Sequence, residues 1–212
     1  MINKIIDPIR GSIRKMMKRV AHFTHWASRG RVTPNMVTIV GLLMHILIAY
    51  FIIKSQLTAA AITLIVFGLF DTLDGELARL QGKESLAGMV LDASTDRMKE
   101  VILYSSLAYW CIHNNYGSYA VWAVIAVGSS LTISYVKAKG ESALNDTNIS
   151  AQVKNKMFAD GLMRFEIRMF LLVLGLLFSV PAQTVAIIAI ISTFTAIQRL
   201  VKVVKVVTEN DK

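Results

Sequence analysis

Charged residues make up only 17% of this 212-residue chain, and cysteine occurs once. The single thiol, Cys111, lies in an apolar stretch, so an intramolecular disulfide and a thiolate metal cluster are both excluded and the residue reads as packing. A polar domain, a low-complexity tract and a persuasive internal repeat are also missing. Apolar residues take their place: 54% of the chain is hydrophobic and its mean hydropathy is +0.53, outside the usual soluble range. The chain therefore reads as an all-α integral membrane protein. A net charge of +9 would suggest nucleic acid in a soluble protein. Here it fits cytoplasmic segments facing anionic lipid, and no nucleic-acid partner is expected.

Apolar blocks at residues 36–53, 57–70, 86–112, 119–136, 169–180 and 184–204 are bounded by polar or turn sequences such as "KSQL", "HNNYGS" and "SVPAQT". Six spanning helices are expected. Several blocks fall short of the roughly 20 residues a bilayer crossing needs, so their helices must continue into polar flanks such as residues 71–80. Residues 1–33 differ. Ile9, Ile13, Met16, Met17, Val20 and Phe23 recur at helical spacing among Arg10, Arg14, Lys15, Lys18 and Arg19, which predicts an amphipathic helix on the membrane surface. Charges interrupt its apolar face and no small-residue cleavage site follows, so it is not a signal peptide. Two regions result, a juxtamembrane helix at 1–33 and a transmembrane domain at 34–212.

Lysine and arginine set the orientation. With a cytoplasmic N-terminus, the cytoplasmic segments hold the basic residues of 4–31 together with Arg79, Lys83, Lys137, Lys139, Lys154, Lys156, Arg164, Lys202 and Lys205, and the opposite loops hold only Lys54. The expected location is the cell membrane, with the active site facing the cytoplasm. The sequons at Asn145 and Asn148 then lie in a cytoplasmic loop and read as chance matches.

Into this apolar chain residues 71–96, "DTLDGELARLQGKESLAGMVLDASTD", bring Asp71, Asp74, Asp92 and Asp96. The first two are i,i+3 and the last two i,i+4, so each pair shares a helical face. At about 1.5 Å per residue both pairs come roughly 9 Å inside the cytoplasmic boundary of a ~30 Å core. One charged side chain at such depth costs about 2.5–3.5 kcal/mol, and like charges repel, so a cation must accompany them. Oxygen-only donors with no His or Cys nearby point to a hard divalent ion, Mg²⁺ first and Mn²⁺ second. Gly75 and Gly88 permit close approach of backbone or ligand. An ion-pair network with Arg79 and Arg97 is the alternative that needs no metal. A transporter would instead call for inverted repeats and broken helices, which are not apparent, and a scaffold leaves the aspartates unexplained.

Asp71, Asp74, Gly75, Ala78, Arg79, Gly88, Asp92 and Asp96 match every fixed position of D-x2-D-G-x2-A-R-x8-G-x3-D-x3-D, so the chain resembles the CDP-alcohol phosphotransferase family. "TPNMVT" at residues 33–38 heads the first apolar block, as in many members. The resemblance implies transfer of a phosphatidyl-type group from a CDP-linked lipid to an alcohol, with release of CMP. It implies that Asp71, Asp74, Asp92 and Asp96 hold two divalent ions, that Asp92 and Asp96 are catalytic with Asp96 as base, and that the enzyme is a homodimer. Asp74, Gly75, Ala78, Arg79 and Gly88 would lie along the CDP moiety, with the planar fork of Arg79 suited to phosphate. Lys137 and Lys139 in "SYVKAKGE", with Arg164 and Arg168 in "DGLMRFEIR", resemble the acceptor-phosphate residues of inositol-phosphate members. Spacing i,i+4 sets the two arginines on one face, with Arg168 inside a span. The expected acceptor is a phosphorylated polyol, inositol phosphate ahead of glycerol 3-phosphate, because a phosphomonoester favours an Arg/Lys cluster.

Overall fold

Thr33 caps the first apolar helix: its Oγ1 accepts from Met36 N at 3.3 Å, and Pro34 occupies the first helical position, where a missing N–H costs nothing. The same chemistry recurs along the computed structural model, which describes residues 2–144 and 163–210. Among the described residues there are eight α-helices, one 3₁₀ turn and no strand. They are α1 (Ile2–Ala27), α2 (Pro34–Ile53), α3 (Leu57–Gly68), α4 (Phe70–Gln81), α5 (Leu86–His113), the turn Gly117–Tyr119, α6 (Ala120–Ala143), α7 (Phe165–Leu177) and α8 (Pro181–Asn210). The sequons at Asn145 and Asn148, and Lys154 and Lys156, lie outside the described residues.

Local signals end the helices. Gly82 closes α4 in the left-handed region at φ 60°, while Lys83 N returns to Ala78 O at 3.0 Å. Ser85 opens α5, its Oγ accepting from Gly88 N at 3.0 Å. Between α3 and α4 only Leu69 leaves the helical pattern. Its backbone stays right-handed (φ −77°, ψ −14°), so the apolar run continues into the polar segment that the sequence required.

The protein is an all-α membrane protein. Among the described residues four stretches are long and apolar enough to cross a bilayer: Pro34–Ile53, Leu57–Gln81, Gly117–Ala143 and Pro181–Thr208. The six expected spans are not all met on length and composition. Helix α5 has 28 residues but carries Asp92, Asp96, Arg97, Lys99 and Glu100 in one segment. Helix α7 has 13 residues, about 20 Å of rise against a ~30 Å core. Large apolar side chains remain exposed along the candidate spans, among them Leu43 and Ile46 of α2 and Phe194 and Ile197 of α8, as lipid contact requires.

The chain divides into two compact units, Met1–Tyr50 with Ile62–Ile102 and Phe51–Ala61 with Leu103–Lys212. In the first, Met17 and Ala21 of α1 are buried with Val37 of α2 and Leu73 and Leu77 of α4, and Ile13 and Val20 pack against this cluster. The spacing 13, 17, 20, 21 is one helical face, so part of the apolar stripe of α1 covers α4. Met16, Phe23 and Trp26 stay exposed. In the second unit Val136, Leu144 and Val203 form a buried cluster, and Arg199 Nη1 donates to Ile133 O at 3.2 Å. Gly175 lets α7 and α8 approach closely, since a Cβ there would overlap the Thr184 side chain.

Candidate active site

Helices α4 and α5 carry two aspartates each, and helical spacing aims each pair along one face. Asp71, Asp92 and Asp96 each offer one carboxylate oxygen, and these three atoms lie within 4.8 Å of one another. Asp92 Oδ1 is buried and has no hydrogen-bond partner among the described residues. Asp74 is held separately. It is buried, and its Oδ2 accepts from Thr38 Oγ1 of α2 at 2.6 Å. Three of the four expected carboxylates therefore form the close group, and the fourth lies one turn along α4.

Cationic partners differ from those the sequence suggested. Lys99, wholly buried, pairs with Asp71 and, at 3.1 Å, with Asp96. Arg97 pairs with Glu100 at 3.0 Å. Arg79 pairs with the buried Glu76 at 2.8 Å, and Arg14 of α1 reaches the same Glu76 oxygen at 2.7 Å. Lys99 went unnoticed although it stands three residues after Asp96, a spacing that puts both on one side of a helix. Thr38 had no comparable signal, because 36 residues separate it from Asp74.

The small residues of the motif leave room for particular neighbours. A Cβ on Gly75 would meet Arg79 Nη2 at 3.4 Å, so the guanidinium lies over bare backbone. A Cβ on Gly88 would come 3.2 Å from Ser85 Oγ and 3.7 Å from Asn35 Oδ1. Ala78 is half-buried on α4, and Arg79 is exposed enough to reach a ligand.

The residues expected to bind acceptor phosphate all belong to the second unit. Lys137 and Lys139 are exposed, and Lys137 Nζ lies 3.7 Å from Glu141 Oε1. Two positions apart on α6, they point to different sides of the helix. Arg164 precedes α7 as an extended cap residue (φ −72°, ψ 162°), so the shared helical face expected from i,i+4 spacing is replaced by a cap followed by the first turn. Arg168 is buried, and its Nη1 donates to Met163 O at 2.7 Å.

Known proteins resemble this chain. Archaetidylinositol phosphate synthase from Pyrococcus horikoshii is 30% identical over 199 residues, covering 92% of this chain and 95% of that protein. Phosphatidylinositol phosphate synthase from Corynebacterium glutamicum is 34% identical over 116 residues, a match that spans about half of each chain (53% and 53%). Among solved structures, phosphatidylinositol phosphate synthase of Mycobacterium tuberculosis with CDP-DAG bound superposes with a TM-score of 0.75 at 26% identity, covering 89% of this chain and 94% of that one. Its complex with manganese and citrate gives a TM-score of 0.75 at 25% identity, covering 88% of each. Residues 31–209, nearly the whole chain and all of the aspartate motif, match the CDP-alcohol phosphatidyltransferase family, and the protein belongs to that family.

Proposed function

We propose that this protein transfers a phosphatidyl-type group from a CDP-linked lipid to a hydroxyl of a phosphorylated polyol, inositol phosphate, releasing CMP for phospholipid synthesis. The observation that carries the reading is the carboxylate triad with its orphaned atom: Asp92 Oδ1 is buried without a hydrogen-bond partner beside Asp71 and Asp96. A buried charged oxygen left unpaired is costly, and a divalent cation satisfies it. Metal–oxygen distances of about 2.0–2.6 Å hold the oxygens of one ion within roughly 5 Å of each other, which the triad meets. Asp71, Asp92 and Asp96, with Asp74, are the residues to hold two Mg²⁺ or Mn²⁺ ions. Such ions would offset the diphosphate charge, polarise phosphorus and favour departure of CMP.

The chain's own groups do the rest. Asp74, Gly75, Ala78, Arg79 and Gly88 bind the CDP moiety, Gly75 admitting the donor close to the helix and Arg79 gripping phosphate with its fork. Asp96 takes the proton of the acceptor hydroxyl as that oxygen bonds to phosphorus and the P–O bond to CMP breaks. Lys99 donates to Oδ1 of Asp96 at 3.1 Å. Lys137, Lys139, Arg164 and Arg168 serve the acceptor's phosphate.

Relatives named for phosphatidylinositol phosphate and for archaetidylinositol phosphate synthesis have inositol phosphate in common, which supports that acceptor over glycerol 3-phosphate. In the membrane, α5 and α7 complete six crossings. Met16, Phe23 and Trp26 of α1 rest on the cytoplasmic surface, and region 34–212 forms the catalytic domain of a homodimer. Assay of CMP release from ester- and ether-linked CDP-lipids with inositol phosphate, glycerol 3-phosphate, inositol and serine tests the reading. Release that requires inositol phosphate supports it. Preference for an unphosphorylated alcohol overturns the acceptor, and no CMP release with any acceptor overturns the enzyme.

A further inference from the structure

Lys99 has no place in the eight-residue motif, yet its charge is paired with two of the motif's aspartates. Its side chain is 0% exposed, on α5, and its ammonium joins two helices by pairing with Asp71 of α4 and Asp96 of α5. A lysine is almost never wholly buried unless its charge is matched, because desolvating an ammonium costs several kcal/mol. The neighbouring buried Glu100 has Arg97 as a partner, so the charge of Lys99 is directed to the aspartates. Lys99 therefore offsets one negative charge of the close group Asp71, Asp92 and Asp96.

We propose that Lys99 is a positioning residue that acts as the cradle's own cation. In the metal-free protein it holds Asp71 and Asp96 together, and a divalent ion must share or take over the carboxylates that Lys99 pairs with. Lys99 thereby keeps the site assembled before metal arrives and weakens the binding of the first ion. This inference rests on the metal reading above. It concerns the free protein and is read from binding, not turnover.

The test uses the full chain in detergent, stripped with chelator and titrated with Mn²⁺ in the absence of CDP-lipid and acceptor, following free Mn²⁺ by electron paramagnetic resonance. Lys99→Met keeps the aliphatic stem and removes the charge, and Lys99→Gln keeps a hydrogen-bond donor without the charge. Both are expected to bind Mn²⁺ at least tenfold more tightly than wild type, about 1.4 kcal/mol. Lys99→Arg, which retains the charge, is expected to bind no more tightly. Lys99→Met should also unfold at lower temperature than wild type when metal-free and regain that difference in Mn²⁺. Wild-type or weaker Mn²⁺ affinity in both neutral variants overturns the proposal. If neither neutral variant folds without metal but both fold in Mn²⁺, the exchange of ammonium for metal is supported; if neither folds even in Mn²⁺, it is overturned. Failure of the wild type itself to bind Mn²⁺, or undiminished binding in Asp92→Asn, would instead remove the metal reading on which the inference stands.

Discussion

Thr38 Oγ1 donates to Asp74 Oδ2 at 2.6 Å, tying the head of α2 to the motif on α4. Asp74 is buried, and the bond also ties the "TPNMVT" segment to the aspartates. Replacing the hydroxyl by a methyl of the same shape leaves a buried carboxylate oxygen short of one donor, which costs about 1–3 kcal/mol. Thr38→Val is therefore expected to lower the unfolding temperature and to reduce kcat/KM for the CDP-lipid by roughly tenfold or more, whereas Thr38→Ser restores both. Equal kinetics and melting for Thr38→Val and wild type would show that the bond contributes nothing.

Removing metal or one of its proposed ligands should have a larger effect. With the orphaned Asp92 Oδ1 as a ligand atom, chelator abolishes CMP release, and added Mg²⁺ or Mn²⁺ restores it. Asp92→Asn and Asp96→Asn each lower turnover by roughly a hundredfold or more, the scale of losing one transition-state contact, in protein that still inserts and folds. The check is kcat at saturating metal for each variant. Turnover in Asp96→Asn within a fewfold of wild type removes Asp96 as base.

Glu76 links α1 to the motif arginine, since Arg14 and Arg79 both reach its Oε1. Both arginines are substantially exposed, so solvent screening holds the worth of each pair to about 1 kcal/mol even though Glu76 is buried. Glu76→Gln is expected to lower stability modestly and to raise the KM for CDP-lipid, because Arg79 loses the carboxylate that orients it. A double-mutant cycle of Arg14→Ala with Glu76→Gln, read by thermal melting, should show a coupling of about 0.5 kcal/mol or more. Strict additivity would mean that Arg14 does not act through Glu76.

How far the sequence foretold this site follows from chain distance. The aspartates lie in one segment of 26 residues, where helical arithmetic suffices to predict which side chains share a face; it led to an expectation of four converging carboxylates, of which Asp71, Asp92 and Asp96 form the close group. Lys99 obeyed the same arithmetic, but the partners weighed for the aspartates were Arg79, Arg97 and a divalent ion. Thr38–Asp74 and Arg14–Glu76 span 36 and 62 residues, and only tertiary packing brings them together. Helix boundaries were the weaker part. Arg164 looked helical by spacing, yet its extended backbone makes it a cap, and the charges of α5 and the shortness of α7 hold the spans that stand on composition to four.

The two arginines at the start of α7 should not behave alike. Arg168 is buried and one of its bonds supports Met163 O, so Arg168→Ala removes a large packed side chain and leaves a buried carbonyl short of a donor. Its loss is expected to lower the melting temperature as well as activity, and Arg168→Lys to recover the charge without the planar fork. Arg164 is half-buried at the cap, so its truncation removes less packed side chain than that of Arg168. If it binds the acceptor's phosphate, Arg164→Ala removes a charge-assisted hydrogen bond worth about 1.5–3 kcal/mol, which raises the acceptor KM roughly ten- to hundredfold. The KM for CDP-lipid and the melting temperature should stay near wild type. A panel with inositol phosphate and unphosphorylated inositol separates charge recognition from general damage: the variant should lose its preference for the phosphorylated acceptor. An Arg164→Ala enzyme that keeps that preference, or that loses donor and acceptor affinity in parallel, would remove Arg164 from acceptor recognition.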